Sequence, residues 1–170
     1  YYSSLSGENP SAVKILENMK PDMIKQANFN NDNYIDLVIC DREAAKILVF
    51  LGNEAGKFSF LKSTGSEGAR DIAITDLDND RIEEILYSSE TGIHQLKLSE
   101  GNLVSATLLN FSDDFSSLQA ADVNGDNKID LLISRRQEGE NSLSLIYGMQ
   151  DGFSEDVTAL PAGSGDITVT

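Results

Sequence analysis

Apolar and polar residues alternate in short runs along the chain, which predicts β-strands rather than helices. In the clearest run, Asp71–Thr75, Ile72 and Ile74 fall on the same face. Leu96 and Leu98 repeat this two-residue period. Such alternation is typical of a strand with one face buried and the other in contact with solvent or a neighbouring layer. The chain is therefore predicted to be all-β.

The same pattern occurs three times at a nearly constant spacing. The segments "ANFNNDNYIDLVI", "TDLDNDRIEEILY" and "ADVNGDNKIDLLI" align without gaps, and their polar loops begin at Asn28, Asp76 and Asp122, 48 and 46 residues apart. Each loop lies between two apolar runs, and a strand, a glycine-containing turn and a further strand follow. Four short strands in a unit of about 47 residues are typical of a β-propeller blade. A β-sandwich of the same strands is the alternative, but it does not require a regular period.

The repeat predicts a β-propeller of four-stranded antiparallel blades, with three whole blades and a partial blade at each end. At the end of the chain, Gly165–Thr170 matches Arg70–Thr75, a strand that leads into a polar loop. Because these units do not close a ring, we expect a fragment of a longer propeller that packs against neighbouring blades of its parent chain. The predicted boundaries are residues 1–22 for the last strands of a preceding blade, 23–66, 67–114 and 115–164 for the three whole blades, and 165–170 for the first strand of the next.

Each polar loop carries oxygen-bearing side chains at its positions 1, 3, 5 and 9. Ca²⁺ takes about 6–8 oxygen ligands in flexible geometry, and position 7 of such a loop can add its backbone carbonyl. Polar residues also favour turns without any ion, but turn chemistry does not require the same spacing in three units. The predicted ligands for up to three Ca²⁺ ions are Asn28, Asn30, Asp32, Tyr34 and Asp36 in the first loop, Asp76, Asp78, Asp80, Ile82 and Glu84 in the second, and Asp122, Asn124, Asp126, Lys128 and Asp130 in the third.

The three loops are predicted to differ in calcium affinity. The first is expected to be weakest because two of its ligand positions are asparagine. The second has the most carboxylates, but Arg81 occupies position 6, where Gly or Asn would ease a left-handed turn. The third is the best formed. An EF-hand is excluded because its position 12 requires Glu, whereas the residues here are Ile39, Tyr87 and Ile133, within strands.

The charge balance excludes some partners and supports the metal hypothesis. With 13 basic and 28 acidic residues the net charge is −15, so nucleic acid and anionic membranes are poor partners. No apolar run approaches the roughly 18–20 residues of a membrane span. Nine of the carboxylates stand at ligand positions of the loops, where they repel one another without a counter-ion. Three bound Ca²⁺ ions would bring the net charge from −15 to −9.

Catalytic chemistry has little support in the sequence. Cys40, the single cysteine, lies in "DLVIC" and is expected to be a buried apolar residue. His94, the single histidine, is expected to be an exposed strand residue rather than a catalytic base. No nucleophile elbow, metalloprotease helix or phosphate-binding glycine loop occurs. A non-catalytic module is therefore expected.

The repeats resemble a known family. "DVNGDNKIDLLI", with "DLVICDREAAKILVFLGNEAGKF" after the first loop, is similar to the FG-GAP/VCBS repeat family, whose calcium-loop blades also occur in integrin α-subunit propellers. Gly152–Phe153 keeps the Gly-Phe element, whereas Asn28 and Glu84 depart from the family pattern.

The resemblance implies an extracellular, cell-surface or periplasmic protein, although the N-terminus "YYSSLSGENP" shows no signal peptide. It also implies that Ca²⁺ stiffens the propeller while loops on one face bind a protein or a glycan. The expected function is thus a calcium-binding scaffold for binding or adhesion. The alternative is the propeller portion of a secreted carbohydrate-active enzyme, such as a polysaccharide lyase or a glycoside hydrolase.

Overall fold

The computed structural model describes residues 17, 19–66, 68–111, 114–137, 140–154 and 156–160, and every regular element in these ranges is a β-strand. The strands are β1 (Met23–Ala27), β2 (Asp36–Asp41), β3 (Lys46–Gly52), β4 (Phe58–Gly65), β5 (Asp71–Thr75), β6 (Glu84–Ser89), β7 (Gly92–Ser99), β8 (Asn102–Asn110), β9 (Asp114–Ala121), β10 (Asp130–Gln137), β11 (Glu140–Ile146), β12 (Gly148–Met149), β13 (Gly152–Phe153) and β14 (Thr158–Leu160).

These strands form three four-stranded antiparallel sheets. The first sheet has the order β1-β2-β3-β4, the second β5-β6-β7-β8 and the third β9-β10-β11-β14. In the first two sheets consecutive strands are neighbours, as in a β-meander, whereas in the third sheet β14 pairs with β11. The all-β fold and its blade-like four-stranded sheets confirm the predicted fold class. The exact blade boundaries stay a prediction, and the strands predicted in residues 1–16 and 165–170 lie outside the described residues.

The third sheet departs from the simple hairpin that the sequence predicts after residue 142. β11 ends at Ile146, and β12 and β13 then form a separate two-residue hairpin in which Gly148 pairs with Phe153. The Ser154 N–H donates to the Tyr147 carbonyl at 2.8 Å, which extends this short hairpin by one residue pair. The other two sheets have only a one-residue register shift between their third and fourth strands. The fourth strand of this sheet is therefore β14, later than predicted.

The core lies between adjacent sheets, because β1 packs beside β5 and β5 beside β9. Strand β6 is buried along its whole length and faces both neighbours. Ile85 and Tyr87 belong to the apolar cluster shared with the first sheet, whereas Leu86 belongs to the cluster shared with the third. Alternate side chains of one strand thus fill two interfaces. Stacking buries the sheet faces that would otherwise contact water.

The predictions for the single cysteine and the single histidine have different outcomes in the structure. Cys40 is fully buried in the first cluster, as predicted. The prediction of an exposed His94 is wrong, since only 4 % of its surface is accessible. Its ring stacks on Tyr87, and Nε2 lies 2.8 Å from Ser89 Oγ and 3.0 Å from Thr91 Oγ1. Alternation misplaced His94 because β7 is covered on both faces.

The described residues include no helix of a length and apolar character that would allow it to cross a membrane.

The burial of Cys40 gives a direct test of this packing. Desolvation raises the pKa of its thiol to about 11, so the reactive thiolate is scarce at pH 8 as well as shielded. We expect native protein to react with a disulfide reagent at pH 8 at least about a hundred-fold more slowly than protein unfolded in guanidinium. Spectrophotometric thiol titration measures both rates. Comparable rates would contradict the core described here.

Candidate metal-binding loops

Three loops connect the first strand of each sheet to the second. They are loop 1 (residues 28–36), loop 2 (residues 76–84) and loop 3 (residues 122–130), with positions numbered 1 to 9. In each case the residue before position 1 pairs with position 9; the pairs are Ala27–Asp36, Thr75–Glu84 and Ala121–Asp130. Equivalent loop positions therefore have equivalent places in their sheets.

The carboxylate at position 5 stabilises a turn in the middle of every loop. It accepts the backbone N–H of position 7 at 2.8 Å for Asp32, 2.8 Å for Asp80 and 2.9 Å for Asp126. This hydrogen bond is the largest cause of the lowered pKa of the Asp126 carboxyl. The side chain at position 7 is free to vary, because only the backbone N–H of that residue is needed for this hydrogen bond.

The carboxylate at position 9 attaches each loop to its sheet and is fully buried in all three cases. One of its oxygens accepts the N–H of position 2, at 2.8 Å from Phe29, 2.8 Å from Leu77 and 3.0 Å from Val123. In loops 1 and 3 the other oxygen accepts an N–H from further along the sheet, from Gly52 at 2.9 Å and from Gly148 at 2.8 Å. A buried carboxylate requires such donors, and each bond to it is charge-assisted.

Glycine is necessary at these two donor positions because the loop backbone lies directly against them. A Cβ on Gly52 would stand 2.1 Å from the carbonyl oxygen of Ile35, and one on Gly148 would stand 2.4 Å from that of Ile129. Both carbonyls belong to position 8 of their loops. The close approach lets the glycine N–H reach the buried carboxylate.

Loop 2 has a side chain in place of this backbone donor. The residue that follows position 9 pairs with a residue on the third strand of its sheet. These partners are Phe50, Leu96 and Ile146 in the first, second and third sheets. Two residues later the first and third sheets have Gly52 and Gly148, whereas the second has Leu98. The intervening residue in the second sheet is Lys97. It is this lysine that reaches loop 2.

The Lys97 ammonium lies among three carboxylates of loop 2. Its Nζ is 2.5 Å from Asp78 Oδ2, 2.8 Å from Asp80 Oδ2 and 3.0 Å from Glu84 Oε1. The contact with Glu84 is an ion pair without good hydrogen-bond direction, since the buried Oε1 accepts no hydrogen bond among the described residues. These contacts raise the pKa of Lys97 above its usual range, and the Lys97 bond lowers the pKa of Asp80. Burial raises the pKa of Glu84 in spite of them.

The same loop contains the one group of three carboxylates, within the described ranges, whose oxygens are close enough to hold a metal ion. Oxygens of Asp76, Asp78 and Glu84 lie within 4.8 Å of one another. Two of these residues, Asp78 and Glu84, also contact Lys97. A metal ion and the ammonium would therefore use the same oxygens. Hard oxygen ligands of this kind suit Ca²⁺ or Mg²⁺.

Left-handed backbone shapes the turns of the loops. Position 4 has a positive φ in all three: 54° at Asn31, 58° at Asn79 and 80° at Gly125. Position 6 has one in loops 2 and 3, at Arg81 with 70° and at Asn127 with 63°. The sequence-based expectation of a left-handed turn at Arg81 is thus confirmed. That conformation costs about 1–2 kcal/mol for a residue with a Cβ.

Position 1 distinguishes loop 1 from the other two loops. Asp76 accepts the N–H groups of Asp80 and Arg81, and Asp122 accepts three N–H groups from its own loop. In loop 1 the buried Oδ1 of Asn28 accepts no hydrogen bond from any described residue. This oxygen lacks the partner that a buried acceptor normally has.

Loop 1 is instead joined to loop 2 through Glu83. The Asn28 N–H donates to Glu83 Oε2 at 2.6 Å, and the Glu83 N–H donates to the Asn28 carbonyl at 2.9 Å. This exchange couples the first and second sheets at their loop ends. It also explains why loop 2 has Glu rather than an apolar residue at position 8.

The predicted ligand side chains at positions 3, 5 and 9 thus fall into two groups. Those at position 9 are buried and attached to the sheet, whereas those at positions 3 and 5 lie at the exposed or half-buried surface of the loop. The backbone N–H groups of Tyr34, Ile82 and Lys128 donate to position 5, and the role of their carbonyls stays a prediction, as does metal ligation by each predicted residue.

Sequence reasoning missed Lys97, Glu83 and the two glycines. Aligning the third strands by register rather than by loop spacing would have placed Lys97 one residue before the glycine position. Nothing in the sequence pattern indicates that Glu83 contacts the neighbouring loop.

Comparison with known families supports the resemblance. Residues 28–87 match the model of the FG-GAP-like repeat, a segment that begins with loop 1 and ends in β6 after loop 2. A search of curated proteins gave no significant match.

The glycine contacts of loops 1 and 3 can be tested by substitution. We expect Gly52→Ala to lower the free energy of unfolding by about 1–3 kcal/mol, because the new Cβ forces the backbone of Ile35 away from β3. Gly65→Ala is the matched control, since a Cβ there has no atom within 4 Å. Urea denaturation measures both. Equal stability of the two variants would contradict the close approach.

Proposed function

We propose that this chain, in which residues 28–87 belong to the FG-GAP-like repeat family, is a calcium-binding β-propeller module that acts as an extracellular scaffold for binding or adhesion. The observation that carries the proposal is the recurrence of one loop geometry in three sheets, with a buried carboxylate at position 9 and side-chain oxygens at positions 1, 3 and 5. FG-GAP repeats typically occur in extracellular or periplasmic proteins and are typically non-catalytic.

Loop 3 offers the donor set best suited to Ca²⁺. Asp122, Asn124, Asp126 and Asp130 provide only hard oxygen atoms, and the hydrogen bonds to Asp122 hold the loop wound. Lys128 lies 3.3 Å from Asp126 Oδ2, but its side chain is 42 % exposed and turns readily into solvent. Its ion pair is too weak to exclude a divalent ion.

Loop 1 has fewer charges, but it contains an oxygen that no residue of the described ranges hydrogen-bonds. The buried Asn28 Oδ1 is a suitable ligand atom, because a cation would supply the partner that no described residue provides. Asn30 and Asp32 bond to each other at 2.7 Å on the exposed side of the loop. With Asp32 and Asp36 as its only carboxylates at ligand positions, the loop should bind Ca²⁺ more weakly than loop 3.

Bound Ca²⁺ would supply positive charge to a chain with a net charge of −15. Backbone hydrogen bonds within the loops hold the ligand oxygens in place, and the residue at position 9 connects each loop to the core. Millimolar affinities are sufficient for this role outside the cell, where such calcium modules are common.

A cleft beside loops 2 and 3 is the surface we propose for the protein or glycan partner. It has a volume of about 480 Å³ and is lined by Asp78, Asn79 and Asn127 from the loops and by Leu108, Met149 and Phe153. Apolar side chains beside a few polar ones are typical of a ligand site. The lining also includes Lys128, which balances the charge of Asp78, so the cleft suits a neutral partner better than a strongly charged one.

The enzyme alternative has less support. Ser89 Oγ and His94 Nε2 are 2.8 Å apart, the distance of a nucleophile–base pair, but both residues are buried. A substrate cannot reach a pair that is buried and stacked against Tyr87. We interpret it as a hydrogen-bonded core pair.

Calcium titration of loop 3 tests the proposal. In Asp126→Asn the amide oxygen can still accept the Lys128 N–H, so the loop geometry is kept while one charge is lost. We expect wild-type protein to bind Ca²⁺ in calorimetry and to melt a few degrees higher in about 10 mM Ca²⁺ than in EGTA, since a ligand at ten times a millimolar Kd adds about 1.4 kcal/mol per site. The variant should lose about ten-fold or more in affinity at one site.

The matched control is Asp151→Asn, which removes a charge from an exposed turn outside the loops. It should titrate like the wild type. A folded wild-type sample that gives no heat and no shift in melting temperature would contradict the calcium proposal.

A further inference from the structure

Loop 2 differs from loops 1 and 3 in that a cation of the chain itself lies within its carboxylates. Lys97 Nζ contacts Asp78, Asp80 and Glu84 at 2.5, 2.8 and 3.0 Å. The Glu84 side chain is fully buried, whereas that of Lys97 is 29 % exposed. The ammonium is therefore partly removed from water, and its contacts are screened less than those of an ordinary surface ion pair.

We propose that the Lys97 ammonium is the resident cation of loop 2, which keeps this loop folded without calcium and lowers its calcium affinity relative to loops 1 and 3. The second half of this inference rests on the calcium-binding function proposed above, whereas the first half does not. Lys97 would thus decide which of the three loops respond to calcium.

The first argument is that the strand beside loop 2 differs from the equivalent strands of the other two sheets at two adjacent positions. The register places Leu51 and Tyr147 at the equivalent positions of the other sheets, and neither carries a charge. Only the second sheet also lacks the glycine that donates to position 9, having Leu98 instead. Lysine and the loss of the glycine donor therefore occur in the same sheet.

The second argument is that glutamate at position 9 fits the lysine. Glu84 Oε2 keeps the bond to the Leu77 N–H at 2.8 Å, which is the bond that aspartate makes in the other loops. The other oxygen, Oε1, meets the Lys97 ammonium rather than a glycine N–H. The departure of Glu84 from the family pattern thus has a physical reason: its Oε1 forms an ion pair with the ammonium where the other loops have a glycine N–H.

The third argument concerns competition. The oxygens available to a metal in loop 2 belong to Asp76, Asp78 and Glu84, and two of these residues already contact Lys97. A calcium ion must displace an ammonium that is tethered to the adjacent strand, and a tethered group has a high effective concentration.

Lysine variants of the full chain test the proposal by two readouts. We expect Lys97→Met, which keeps the aliphatic stem but removes the charge, to melt several degrees below the wild type in EGTA because the carboxylates of loop 2 repel one another. Millimolar Ca²⁺ should restore most of this loss, and native mass spectrometry should count one calcium ion more per chain than for the wild type. Lys97→Arg should resemble the wild type in EGTA.

Controls separate charge, folding and the calcium function. Lys57→Met removes a charge from an exposed turn and should match the wild type in both readouts. If Lys97→Met does not fold, Asp78→Asn combined with Lys97→Met should fold, because one of the repelling carboxylates is gone. Equal melting of Lys97→Met and Lys57→Met in EGTA would overturn the role of Lys97 whether or not calcium binds elsewhere. Equal calcium counts for Lys97→Met and the wild type would overturn its role in lowering affinity.

Discussion

The buried carboxylate at position 9 of each loop is the constraint on which the site depends. Asp36, Glu84 and Asp130 are fully buried and carry a charge that is expensive to remove from water. Each meets that cost by accepting the N–H of position 2, and each has a second partner: a glycine N–H in loops 1 and 3 and an ammonium in loop 2. The carboxylate thereby fixes where the loop starts, where it returns to the sheet and which strand it lies against.

From this common anchor the three loops reach charge balance in different ways. In loop 3, Asp122 accepts backbone N–H groups, and loop 2 contains Lys97. In loop 1, an oxygen of Asn28 has no hydrogen-bond partner among the described residues, and Glu83 joins this loop to loop 2. The sheets beneath the loops are less varied, because stacking buries the same alternating faces in each. The fold is thus the same in the three sheets, whereas the charged groups and their partners differ from loop to loop. A propeller module built this way can have both calcium-dependent and calcium-independent loops.

Periodicity was sufficient to predict the all-β fold, the recurring four-stranded sheets and the places of the loops, since burial of one face repeats at a fixed spacing, but it misplaced the fourth strand of the third sheet. Burial of Cys40 followed from the same pattern. The exposure of His94 was predicted wrongly because a central sheet is covered on both faces, which alternation within one strand does not reveal. Lys97 and Glu83 were missed because their contacts span 13 and 55 residues, to Glu84 and to Asn28. Contacts of that range depend on strand register and sheet stacking rather than on local pattern.

The most direct test of the central claim is a long-wavelength anomalous difference map from crystals grown in millimolar Ca²⁺. The claim is that each loop has a cation and that the cation of loop 2 is Lys97. The account predicts calcium peaks in loops 1 and 3 and, in loop 2, the Lys97 nitrogen among Asp78, Asp80 and Glu84 without a peak. A calcium peak in loop 2 with Lys97 turned into solvent, or the absence of peaks from all three loops, would contradict it.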